Sequence, residues 1–173
     1  MAQQHVMVNL DKAVAVYTGN IESVVNPVAM DNGSFVHLGA EDATNKELFT
    51  AVVPTTASIL TDEVLLVKAP EIQGAMYIPG TELKDYFIEA NKPARAYHLA
   101  VGDVFTITTD GVTGVTAVGK YLIPQNGSVL LAVATDLAGG TRFAAKIIEA
   151  GTFGYTGVNW TKMTAVTAKV VKA

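Results

Sequence analysis

Three histidines, at positions 5, 37 and 98, are the only imidazoles in this 173-residue chain, and no cysteine accompanies them. Zinc and iron sites draw on His, Cys and carboxylate ligands at short helical or hairpin spacings. Histidines 32 and 61 residues apart have no such spacing, so no metal is expected. The absence of thiols also excludes a disulfide scaffold, a thiol nucleophile and a thiolate centre. His98 follows Tyr97 at the head of a strand-like run and reads as a half-buried packing residue rather than a general base. Glu41, Asp42 and Glu47 form the densest acidic patch of the first third. Acid–base hydrolysis needs two carboxyl groups held at a defined separation; nothing in the spacing sets one, and a solvated turn accounts for all three. Asp103, Asp110 and Asp136 stand singly at strand ends, without the ligand spacing of a calcium loop. Gly111, Gly114 and Gly119 lack the lysine and the strand–turn–helix setting of a phosphate loop, so they read as turn formers. Tyr155 and Trp160 are candidates for a sugar-stacking platform, although Trp160 reads better as an anchor for the C-terminal segment. No catalytic residue, cofactor or metal is expected.

The elements around these residues are short. Apolar and β-branched runs of about five to nine residues, broken by Gly, Asp or Asn, fill residues 97–149; this is the rhythm of an antiparallel barrel or sandwich. Alternation over residues 104–108 puts Phe105 and Ile107 on one face, and residues 63–68 read as a buried strand. Residues 112–118 read as a tight hairpin, residues 151–157 as a Gly-rich surface wrap, and residues 163–171 as a last strand whose Lys169 and Lys172 blunt an exposed edge. Asn32-Gly33-Ser34 and Asn126-Gly127-Ser128 are two copies of one turn-into-strand device. The capping-box spacing of Thr44 and Glu47 suggests a single helical turn. One clear helix is expected over residues 82–90, capped by Thr81, with Leu83, Tyr86, Phe87 and Ala90 on one stripe. The fold class is therefore mainly β: a small antiparallel β-barrel or β-sandwich with one short helix and an extended terminal arm as an option. Residues 1–19 form an N-terminal strand pair or such an arm, with Val6, Val8 and Leu10 alternating, and residues 20–173 form the β-rich domain.

Half of the residues are hydrophobic and only 16% are charged, against about a quarter in typical soluble domains. A weakly charged surface of this kind suits burial against other subunits. With net charge −4 and dispersed basic residues such as Lys46, Lys68, Lys84 and Arg95, no nucleic-acid footprint is expected. The N-terminus lacks the features of a signal peptide, and apolar runs fall far short of the roughly 20 residues that span a bilayer, so no membrane partner is expected.

The polar start Met1-Ala2-Gln3-Gln4-His5, the Thr/Ala/Gly/Val-rich β texture, the two Asn-Gly-Ser turn–strand units and the absence of cysteine together resemble bacteriophage capsid decoration, or cement, proteins. The resemblance covers most of the chain loosely and carries no diagnostic motif. It implies a non-enzymatic structural protein on the outer surface of the virion that stabilises the head by bridging major capsid subunits, with self-association as a trimer or other oligomer. Under it, Val6, Val8 and Leu10 become the candidate partner-binding residues of a capsid-binding arm. A tail-tube or other virion component, and a carbohydrate-binding β module, are the alternatives.

Overall fold

The computed structural model describes residues 5–71, 85–156 and 161–173, the side chains of residues 153–156, 161 and 162 excepted. The chain is mainly β and builds two sheets. Strands β2 (Ile21–Val25), β3 (Ser34–Glu41), β4 (Leu48–Val52), β5 (Leu65–Val67) and β6 (Ala94–His98) close a five-stranded barrel in the order β2-β4-β3-β5-β6. The N-terminal strand β1 (Val8–Lys12) leaves this segment and joins β7 (Val104–Thr108), β8 (Val112–Thr113), β9 (Tyr121–Pro124), β10 (Leu131–Ala134), β11 (Ala144–Thr156) and β12 (Thr161–Lys172). They form a seven-stranded sheet in the order β1-β7-β12-β11-β9-β10-β8.

Two apolar cores follow from the two-residue period of strands β3 and β5. Val36, Leu65 and Val67 turn into the barrel, where Val24, Ala51, Ala94 and Ala96 fill the remaining space. Their sequence neighbours Phe35, Val64 and Leu66 turn the other way and meet Phe105, Ile107, Leu122, Phe143, Ile147 and Val170 of the large sheet. This two-sided burial is why β5 is apolar at every position rather than alternating. Phe35 is the centre of the joint, with ring centroids 5.8 Å from Phe105 and 5.6 Å from Phe143. Backbone bonds stitch the same joint: Phe35 N–H donates to Val129 O at 2.8 Å, and Arg142 N–H to Ile59 O at 2.9 Å.

Several local expectations are corrected. Of the helix expected over residues 82–90, residues 82–84 lie outside the described residues, and residues 86–90 are not helical; Ile88 instead makes an antiparallel bridge with Met30. Ile88, off the expected stripe, is buried in the barrel core and Tyr86 packs against it, while Phe87 and Ala90 of the stripe are exposed. The described α-helices are α1 (Val14–Thr18) and α2 (Ser58–Thr61). Residues 14–17 look like strand by composition, but Gly19, left-handed at φ 74°, closes a helical turn by donating its N–H to Ala15 O. At residues 42–47 the capping box does not form: Asp42 accepts the N–H groups of Thr44 and Asn45 and holds a turn. The expected hairpin at 112–118 is replaced by β8, which runs parallel to β10. Residues 151–156 continue β11 rather than wrapping the surface. Strand β12 lies between β7 and β11, so Lys169 and Lys172 guard no edge. The edge strands are β1 and β8, and β1 is blunted by the charges of Asp11 and Lys12 and a register shift between Leu10 and Lys12. Residues 74–80, which read from the sequence as a short strand closed by the Pro79-Gly80 turn, lie outside the described residues.

Candidate functional site

Residues 5–12 of the candidate arm (residues 1–19, of which the structure describes 5–19) are built into the molecule's own frame. Val6 and Val8 are core residues, 4% and 1% exposed, and Leu10 packs against the same cluster. Val6 sits against two glycines from distant turns: a Cβ on Gly33 would lie 2.9 Å from Val6 Cγ1, and one on Gly111 only 2.6 Å away. Met7 N–H donates to Thr108 Oγ1 and Thr108 N–H returns to Met7 O, both at 3.0 Å. Asp31 fastens the start of the segment by accepting from His5 Nδ1 at 2.7 Å and from Val6 N–H at 3.1 Å, while the His5 ring stacks on Phe87. Val6, Val8 and Leu10 therefore complete this chain's own core, and as placed they present no side-chain row to a partner.

The other two histidines converge on Glu63, which precedes β5. His37 Nδ1–H donates to the Glu63 carbonyl at 2.7 Å, and His98 Nδ1–H to its Oε1 at 2.9 Å. His98 Nε2 faces Glu22 Oε1 at 3.6 Å, so this imidazole stands between two carboxylates. His37 Nε2 is buried without a hydrogen-bond partner in the structure. Among the described residues no group of three or more His, Cys, Asp or Glu is placed to hold a metal ion. No sequence signal links residues 22, 37, 63 and 98; the pairing of β5 with β3 and β6 brings them together.

Each buried polar residue holds backbone. Asn32 Nδ2–H donates to Ala69 O at 3.2 Å while its Oδ1 accepts Ala69 N–H at 2.8 Å, extending the sheet pattern with a side chain. Ser34 bonds Asp31 O, Thr141 bonds Phe143 O, and Thr108 receives Met7 as above. Asp103, 1% exposed, accepts Val14 N–H at 3.1 Å and Ala100 N–H at 2.9 Å, and its own carbonyl accepts Val170 N–H at 2.8 Å. Among the other single aspartates, Asp110 sits in a 3-10 turn and Asp136 accepts Ala138 N–H at 3.0 Å. The Asp42 carboxyl is held below its ordinary range by the amides of Asn45 and Thr44, whereas burial, with Glu71 close by, pushes the Tyr86 hydroxyl up.

The Asp103 junction also gathers surface. It joins the start of α1, the turn at 100–103 and the end of β12, because Gly102 N–H donates to Val170 O at 2.9 Å. Val14 (47% exposed), Tyr17 (85%), Val101 (66%) and Val171 (40%) project from these three segments. Val14 and Tyr17 share a helix face three residues apart. The alternative sugar platform, Tyr155 and Trp160, lies outside the described side chains. No protein-family model, curated protein sequence or solved structure gives a significant match to this chain.

Proposed function

We propose that this protein is a non-catalytic structural component of a phage virion, attached to the outer surface of the capsid and contacting the major capsid protein. The observation that carries the reading is that four exposed apolar residues, Val14, Tyr17, Val101 and Val171, stand on three segments joined at one buried carboxylate. Large exposed apolar side chains gathered in one place mark protein interaction sites. Here the supporting junction spends a buried charge on fixing three surface segments, and the other buried polar side chains fix backbone in the same way. That pattern suits a part whose work is to hold a shape against neighbours.

A tail-tube or other virion ring component is the second reading. It is favoured by the far end of the β11–β12 pair, where Thr152–Thr156 and Thr161–Thr164 pair with each other beyond β9, which meets β11 at Ala145 and Lys146, and beyond β7, which meets β12 at Ala165–Lys169. Two-stranded ribbons have little stability alone in water, and ring assemblies supply the neighbour that such a ribbon needs.

The test is co-sedimentation with undecorated heads, using wild type and the pair Tyr17→Ser and Val101→Ser, with thermal melts alongside. Binding by wild type and its loss in the variants at unchanged melting temperature is the expected result. Equal binding by all forms removes the patch, and failure of wild type to bind removes the capsid reading.

A further inference from the structure

The large sheet has a buried face and an open one, and its register assembles on the open face what the linear sequence scatters. Lys12 of β1 lies opposite Val104 of β7, Val104 opposite Lys169 of β12, Lys169 opposite Lys146 of β11, and Lys146 opposite Tyr121 of β9. Three lysines and a tyrosine thus form one row across five adjacent strands. The row faces outward, because Phe105, Ala145, Ile147, Ala168 and Val170, the neighbours of its members, point into the core. All three lysines are exposed, and among the described residues none is paired with a carboxylate. Two acids flank the row: Asp11, next to Lys12, is engaged by Asn9 and Thr106, and Glu149, three residues from Lys146, lies opposite Thr167.

Lys146 and Lys169 are directly opposite each other, an arrangement in which like charges on neighbouring strands destabilise a sheet. Their repulsion is relieved by an anionic surface laid over the row. The chain itself carries such a surface. Residues 20–98, which contain every barrel strand, hold eleven Asp and Glu against five Lys and Arg, a net charge of −6; the remainder holds five against seven, a net of +2. Glu41, Asp42 and Glu47 are exposed at the β3–β4 connection of the barrel.

We propose that the lysine row of one copy binds the acidic barrel of a second copy, head to tail, with the β3–β4 connection on the row. Such a contact is heterologous, so it generates a closed ring where the rotation between copies closes and a filament where it does not. A free polyanion fits less well, since the barrel's net −6 repels it, whereas a second copy matches both signs at once. Ile148, two residues beyond Lys146 on its strand and 47% exposed, adds apolar area beside the charges. This inference is independent of capsid attachment and is read on the isolated protein.

The experiment is sedimentation velocity of the full chain at about 0.01 M and about 1 M salt, between which the screening length falls from about 30 Å to about 3 Å. Wild type is expected to associate at low salt and dissociate at high salt. Lys146→Glu with Lys169→Glu, and separately Glu41→Lys with Glu47→Lys, should each weaken association by about tenfold or more, and mixing the two variants should restore it, because each then offers the surface the other needs. Lys169→Glu alone turns the cross-strand repulsion into attraction, so it should weaken association while its melting temperature stays at or above wild type. A wild type that remains monomeric at low salt overturns the proposal, as does association indifferent to the lysine reversals. Reversals that fail to complement on mixing overturn the barrel as occupant, and so does a monomeric wild type whose binding to a single-stranded oligonucleotide is lost in the lysine variant.

Discussion

Asp103→Ala tests the junction on which the proposed surface depends. The wild-type carboxylate is 1% exposed and accepts two backbone amides, Ala100 N–H at 2.9 Å and Val14 N–H at 3.1 Å. Hydrogen bonds to a charged acceptor contribute about 1.5–3 kcal/mol each. Both amides lie only partly buried, so water takes over some of each interaction in the variant. The expected loss is therefore near the lower end, about 3 kcal/mol in all. For a chain of this length, at about 2–4 °C per kcal/mol, the melting temperature should fall by roughly 6–12 °C. Asp103→Asn keeps one acceptor but turns an amino group toward an N–H donor, so its loss should be intermediate. Urea titration at constant m-value gives the free energy, and amide exchange by NMR gives the location: Val14 and Ala100 should lose protection ahead of the barrel strands. A melting temperature within about 2 °C of wild type, or undiminished protection at those two amides, refutes the reasoning.

Gly111→Ala places a methyl group 2.6 Å from Val6 Cγ1 and 2.7 Å from Ile107 Cδ1; it should cost about 1–3 kcal/mol, and adding Val6→Ala should recover part of that, giving a coupling of at least about 0.5 kcal/mol in a denaturation cycle. Deleting residues 1–10 removes Val6 and Val8 from the core and most of β1, one of the two partners of β7; each buried valine contributes about 1.5–3 kcal/mol within a total of about 5–15, so the truncated chain should lose its cooperative thermal transition, whereas a free arm would leave it unchanged. The Asp42 carboxyl lies below its usual range because the Asn45 and Thr44 amides favour its charged form; the turn is supported above the ordinary aspartate pKa and loosens as pH falls through the lowered value, which carboxyl NMR titration and the Thr44 and Asn45 amide shifts will follow together.

The amino-acid sequence by itself determined the class of fold, because strand character is local. Short β-branched runs between Gly and Asn turns cannot be read as helices, and both Gly33 and Gly127 adopt the positive φ their Asn-Gly turns require. The alternation of Phe105 and Ile107, and the unbroken apolar β5, were equally legible. Where local and tertiary preferences compete, the sequence misled. Residues 14–17 became helix because Gly19 and Asp103 terminate and anchor that turn, and at 86–90 Ile88 bridges Met30 and enters the barrel core while Phe87 stays exposed, so no helix forms there. The destination of the N-terminal segment was undetermined for a further reason. An alternating apolar strand looks the same whether it completes its own sheet or a neighbour's, and only the slot between Gly33 and Gly111 selects the former. The candidate surfaces were hidden most completely. Lys12, Lys146 and Lys169 look dispersed along the chain, and Val14, Val101 and Val171 look unrelated. Strand register and one buried carboxylate bring each set together, and the register of the lysine row depends on pairings between residues 23 to 92 positions apart, which no local pattern encodes.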